Sequence, residues 1–284
     1  MEYKYIYRKH LRKPAKFFLI LLLMFIIPYV SITVPIALSS NQQNKILIAL
    51  GFLAGGFVFL VFISLEFVFI YFVMYRRFKK IYVNLTDDGI IYNNAKGEIK
   101  VPYEDIKYIQ FPSIKYMGGW IKINHSRGSI RLTVVLENIG DMINNLKNKL
   151  DQKNIIGKYD ERAIYNFFKT AKYSDQSWER IYENAKYFIS IVIGAFVVTA
   201  VFLTLITNVP LKFLVFICAL IELTIAFIIP EAIFGRKLAK ESSQQSFYVP
   251  NRDKQFEAKV YKWTLGIYFV LFIFSMIVLK VLSM

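Results

Sequence analysis

The chain has 284 residues, 56% of them hydrophobic and 17% aromatic, with a mean hydropathy of +0.40. Those values exclude an ordinary soluble domain and also a chain lying wholly in lipid, so membrane helices with a polar insert are expected. A formal charge of +16 would suggest nucleic acid for a soluble protein, but here Lys and Arg flank apolar runs. That placement points to anionic headgroups and membrane topology, not to nucleic acid.

Residues 1–16 carry six Lys or Arg. Residues 17–38 are apolar apart from Ser31 and Thr33, long enough to cross a bilayer core that needs roughly 20 helical residues. Pro28 and Pro35 are expected to kink this span. A short, nearly uncharged loop (39–45) leads to a second apolar run, 46–75, which ends in the basic sequence YRRFKK (75–80). Positive charge at both open ends of this hairpin places them in the cytoplasm. The apolar run lacks a small-residue cleavage site, so the first helix is expected to be retained.

Residues 81–150 are polar and read in twos. The turn signals TDDG (86–89), AKG (95–97) and HSRG (125–128) separate six or seven short alternating strands. The Gly of TDDG is read as tolerating positive φ. Ile139, Met142, Ile143, Leu146 and Leu150 then recur at helical spacing. A small, partly open antiparallel barrel closed by that helix is expected.

The stretch LTDDGIIYNNAKGEIKVPYEDIKYI resembles the bacterial pleckstrin-homology-like domains, particularly their YcxB-like branch. The resemblance covers about residues 75–150. It implies the pleckstrin-homology-like fold, a preceding pair of transmembrane helices and a role in assembly. Eukaryotic relatives often bind phosphoinositides through basic residues near the first hairpin loop. Here Asp87 and Asp88 stand in that loop and would repel a phosphate.

Residues 151–186 form a charged connector with Tyr165, Phe168, Tyr173, Trp178 and Tyr182. Two readings stay open: helices lying at the membrane interface, or two amphipathic helices packing on the insert. Residues 187–207 and 211–234 form a second hairpin around an NVP turn (208–210). A polar stretch, 235–262, opens with GRKLAK, and a final span covers 263–282. The expected fold is therefore a bundle of about five transmembrane helices carrying an inserted β-domain, in the cell membrane. The N-terminus and insert are expected in the cytoplasm and the C-terminus outside.

Glu66 and Glu222 lie at membrane depth, where an acid marks a polar cavity, an ion path or a partnered site. Glu231 is read as interfacial. Gly51 and Gly55 have the G-x-x-x-G spacing of close helix packing, within the bundle or in a dimer. Arg76, Arg77, Lys79, Lys80, Arg236, Lys237 and Lys240 are candidate headgroup contacts, although topology alone accounts for them. Tyr92, Tyr116 and Trp120 are candidate partner contacts on the insert. His10 and His125 are read as isolated, and the single Cys218 excludes an intrachain disulfide. No catalytic motif, metal spacing or cofactor fingerprint is present in the sequence, so an enzyme is not expected.

The expected role is a membrane-anchored interaction or assembly module, contacting lipids and a protein partner or a second copy. A small transporter regulated by the insert, and an anionic-lipid-binding protein, are the alternatives.

Overall fold

The computed structural model describes residues 3–39, 45–94, 96–115, 118–206 and 209–281. Strand β1 (Tyr3–Ile6) and a single turn, α1 (Lys9–Arg12), precede helix α2 (Pro14–Ser39). Helix α3 (Lys45–Ile70) passes through a π-helical turn, Tyr71–Tyr75, into α4 (Arg76–Phe78). Seven strands follow: β2 (Tyr82–Leu85), β3 (Gly89–Asn94), β4 (Gly97–Pro102), β5 (Ile106–Gln110), β6 (Ser113–Ile114), β7 (Gly118–His125) and β8 (Gly128–Thr133). The chain ends in helices α5 (Ile139–Gln152), α6 (Glu161–Thr204), α7 (Val209–Glu241) and α8 (Lys254–Val281).

The chain divides into two compact units. The polar unit comprises Met1–Pro14, Ile70–Glu183 and Gly235–Arg252; the helical unit comprises Ala15–Phe69, Asn184–Phe234 and Asp253–Met284. The polar unit thus takes in more chain than the expected 81–150 insert.

In the polar unit, one antiparallel sheet runs β1-β2-β3-β4. In the other, β7 pairs with β5 and β6 along one edge and with β8 along the other. Alternation decides which side chains face inward: Ile121 and Ile123 on β7 and Ile130 and Leu132 on β8 are buried. They meet Val83, Leu85, Ile90 and Val101 of the first sheet in a single core. The stripe Ile139, Met142, Ile143, Leu146 and Leu150 of α5 is 0% exposed in that core. Burying each such side chain stabilises by about 1.5–3 kcal/mol.

The TDDG turn closes through Thr86, whose hydroxyl donates to the Gly89 carbonyl at 2.9 Å. Gly89 is required for a different reason from the expected one. Its φ is ordinary, but a Cβ there would stand 2.3 Å from the Val101 carbonyl oxygen of β4. The positive-φ glycines are Gly97 and Gly128. Asp87 of this turn pairs with Lys149 of α5.

The basic N-terminus is built into the fold. β1 pairs with β2, with Tyr5 opposite Val83. Two residues on, Arg8 is 3% exposed and donates to the Asp175 carboxylate at 2.7 Å. It also donates to the Val134 carbonyl at 3.2 Å and the Ser174 hydroxyl at 3.3 Å. Asp175 in turn accepts the amides of Gly140 (2.8 Å) and Ile139 (3.3 Å), the first turn of α5. The residue before that helix, Asn138, supplies no side-chain cap, so Asp175 satisfies these amides from another element.

The connector packs on the insert, as the second expected arrangement has it, but through one helix and not two. From Glu161 it is the first part of one 44-residue helix, α6, unbroken at 186. Ile164, Tyr165, Phe167, Phe168 and Ala171 are buried in the sheet core, so the insert covers this apolar stripe. The polar stretch 235–262 is shorter as a loop than expected, because α7 continues to Glu241 and α8 begins at Lys254. Between them Phe247 stacks on Phe168 at 4.7 Å. Arg252 pairs with Glu183 at 3.0 Å and Glu179 at 3.4 Å, and Gln176 donates to the Pro250 carbonyl.

Among the described residues, five helical stretches are long and apolar enough to cross a membrane: Pro14–Pro35, Ala49–Phe78, Glu161–Thr204, Leu214–Glu241 and Lys254–Val281. Within the helical unit, α6, α7 and α8 share a buried core that includes Phe196, Leu203, Val215, Ala219, Phe272 and Met276. Helices α2 and α3 meet through Phe18 on Phe67 at 3.8 Å and through Tyr29, which donates to the Phe52 carbonyl. The outer surface of α3 stays apolar, with Leu53 71% and Phe57 69% exposed.

Asp175→Asn leaves the Arg8 guanidinium buried without a counter-charge and is expected to destabilise the polar unit by about 3–5 kcal/mol. Hydrogen exchange at β1 and at the first turn of α5 should accelerate together, and Arg8→Met/Asp175→Asn should recover most of the loss. Unchanged exchange at either place would show that the pair does not tie them.

Candidate functional site

The acidic candidates lie in the helical unit. Glu222 is half-buried on α7, near Ser275 of α8, whose hydroxyl donates to the Phe272 carbonyl at 2.9 Å. The Glu222 Oε2 and the Tyr268 hydroxyl are buried and have no hydrogen-bond partner among the described residues. Glu66 is exposed on α3 and makes no described polar contact. A cavity of about 20 Å³ in this unit, lined by Ile20, Leu23, Ile27, Ile189, Val192 and Ile193, contains neither acid. The structure therefore does not bring Glu66 and Glu222 into one described cavity. Glu231 is half-buried on α7.

Of the glycine pair, Gly55 faces the Tyr29 hydroxyl at 3.7 Å, whereas Gly51 faces open space. The tightest approach belongs to Gly56, where a Cβ would lie 2.8 Å from the Tyr29 ring. Gly55 and Gly56 thus pack within the α2–α3 pair, and Gly51 is left over.

The basic clusters belong to the polar unit. Arg76, Arg77, Lys79, Lys80, Arg236 and Lys240 are exposed. Lys237 is half-buried, 4.0 Å from Glu241 one helical turn away. Solvated side chains of this kind suit a charged surface.

The aromatic candidates separate. Tyr92 is half-buried against the core beside Tyr7, so it is not the exposed contact expected. Trp120 is half-buried beneath Arg131, whose guanidinium carbon lies 4.0 Å from the ring centroid. Tyr116 lies outside the described residues.

His10 is not isolated. Its ring stacks on Trp178 at 3.9 Å with 16° between planes, and its Nδ1 is 2.7 Å from the Tyr182 hydroxyl. His125 ends β7 and accepts the Arg127 amide at its Nδ1, a turn contact. Among the described residues no group of three His, Cys, Asp or Glu could hold a metal ion.

Asp175 and His10 lie in the polar unit, ahead of the apolar part of α6 that begins at 187. Burial lifts the Asp175 carboxyl to about 6 against the pull of Arg8 and the two α5 amides, so at neutral pH it is ionised and paired. Burial, assisted by the nearby Arg8 charge, holds His10 down to about 4. Sequence reasoning missed both. Arg8 read as one more topological charge, and Asp175 lies 167 positions away, beyond any local pattern.

A histidine depressed in the fold contributes stability that is complete above the unfolded value of about 6.5 and is lost as pH falls through about 4. In a Trp120→Phe/Trp263→Phe background, imidazolium quenching of Trp178 fluorescence should therefore have its midpoint near 4. A midpoint near 6.5 would show that His10 titrates in open solvent.

No protein-family model, curated protein or solved structure matches this chain.

Proposed function

We propose that this is a multi-pass membrane protein that holds a pleckstrin-homology-like, YcxB-like interaction and assembly module at the cytoplasmic face of the cell membrane. The observation that carries the reading is how the polar unit is assembled. Its three stretches, Met1–Pro14, Ile70–Glu183 and Gly235–Arg252, are separated in the chain by pairs of apolar helical segments. Five successive spans leave these three stretches on one side of a bilayer. A compact unit cannot be made from stretches on opposite sides of a hydrocarbon core about 30 Å thick, so the fold and the alternation of spans agree.

Lys9, Arg12 and Lys13, the 76–80 cluster, and Arg236, Lys237 and Lys240 lie on that side, which the positive-inside rule assigns to the cytoplasm. Seven strands followed by helix α5 accord with the element order that the family resemblance implies. The exposed basic side chains support contact with anionic lipid, at about 1 kcal/mol each near the surface. The bare apolar surface of α3 and the open Gly51 support burial against lipid and a second subunit or partner. Glu222, with its unpartnered buried oxygen, favours a second reading as a transport bundle. In that case Glu222→Gln abolishes flux and leaves assembly intact.

With Cys218 replaced by Ser, single cysteines at Lys45 and Lys280 should react with a membrane-impermeant maleimide in intact cells. Cysteines at Lys96 and Gln245 should react only after permeabilisation. The reverse pattern would invert the orientation, and opposite behaviour of Lys96 and Gln245 would break the single-sided unit. Native mass spectrometry of the gently extracted protein should show a defined oligomer or a stoichiometric protein partner; a bare monomer would remove the assembly reading.

A further inference from the structure

Strands β5, β7 and β8 contain no acidic residue. Their inward positions fill the core, so the alternation turns Tyr108 and Gln110, Trp120 and Lys122, and Arg131 to the other face of the sheet. The register sets Lys122 directly opposite Arg131, and Gln110 opposite Lys122 on the other side. Directly opposed like charges destabilise an antiparallel pair. A carboxylate in the same sheet would relieve this, and neither cation has an ion-pair partner among the described residues. The first sheet differs, because Glu98 on β4 lies 3.8 Å from Lys100 and accepts from the Tyr82 hydroxyl at 2.7 Å.

Arg131 is also held in place. Its guanidinium carbon sits over the Trp120 ring at 4.0 Å, and a guanidinium on an aromatic face can still offer its N–H donors in the fork geometry that suits a carboxylate. Tyr108, 45% exposed, stands on the same face, opposite Asn124, two residues along β7 from Lys122. A Trp, a Tyr and an Arg around a cationic centre is the composition of a protein-interface hot spot. The aromatic area would serve a peptide and is wasted on a small anion.

We propose that the Trp120–Lys122–Arg131 face of the second sheet is a docking site for an acidic segment of a partner protein, with Lys122 and Arg131 receiving its carboxylates. This rests on the interaction-module reading and adds to it a surface and the chemistry of the partner. It also explains why two like charges are kept opposed at a cost to the sheet, since such local conflicts mark functional positions.

The test uses the full-length protein in nanodiscs of phosphatidylcholine. The probe is a fluorescein-labelled peptide of alternating Glu and Ser, followed by anisotropy. The wild type should bind it, and Lys122→Ala/Arg131→Ala should weaken binding about tenfold or more, as expected for the loss of charge-assisted hydrogen bonds. Lys79→Ala/Lys80→Ala should leave it unchanged. Lys122→Thr should melt no lower than the wild type, because it removes a repulsion; a lower Tm would mean that the lysine is structural and would overturn the proposal. Equal binding by the double Ala variant would overturn it too. So would displacement of the peptide by inorganic phosphate at an ionic strength where acetate fails, which would make the face a phosphate site. If native mass spectrometry shows a protein complex that persists in the double variant, this face is not the docking site and the module reading stands. If the wild type forms no complex, the module reading itself fails.

Discussion

Arg8 and Asp175 meet at 2.7 Å inside the polar unit, and neither can be buried there alone. Removing one charge from such a pair leaves the other desolvated and uncompensated. Their contact joins the chain just before α1 to the first half of α6, and through Asp175 to the start of α5. A single carboxylate thus neutralises an arginine and supplies the cap that Asn138 does not. The side chains of Arg8 and the backbone of β1 act on the same stretch, so the N-terminal residues are held by sheet pairing and by charge at once.

The same logic of distant closure recurs at Gly235–Arg252. Phe247 covers the apolar stripe of α6, Arg252 clamps Glu179 and Glu183, and Gln176 holds the Pro250 carbonyl. The polar unit is therefore closed by stretches that enter from the apolar helices, and its core is continuous across all of them. The helical unit follows different physics. Three of its helices bury one another, while α3 keeps Leu53 and Phe57 outward. That surface, apolar but for Glu66, is compatible with a bilayer.

Positive charge in this protein includes two contrasting kinds. Arg8 and Arg252 are desolvated and paired, and they hold the fold together. The arginines and lysines at 76–80 and 236–240 lie at the ends of long apolar helices, and all but the half-buried Lys237 are exposed. A surface charge contributes little to stability, so the second kind is free to serve binding.

The sequence by itself determined whatever depends on neighbours along the chain. Apolar runs long enough to span, basic flanks, the alternation of β7 and β8 and the α5 stripe all repeat within a few residues. Each was legible because burial of one face imposes a period of 2 or 3.6. The candidate acids and basic clusters were legible for the same local reason. Only the tertiary structure decided that β1 belongs to the sheet, that α6 runs on without a break, and that Asp175 caps a helix far away in the chain. It also decided that Gly89 is fixed by the approach of Val101, that Tyr92 is half-buried, and that Lys122 opposes Arg131. Register, long-range pairing and burial depend on which segments meet across the core, and no period in the chain encodes that meeting.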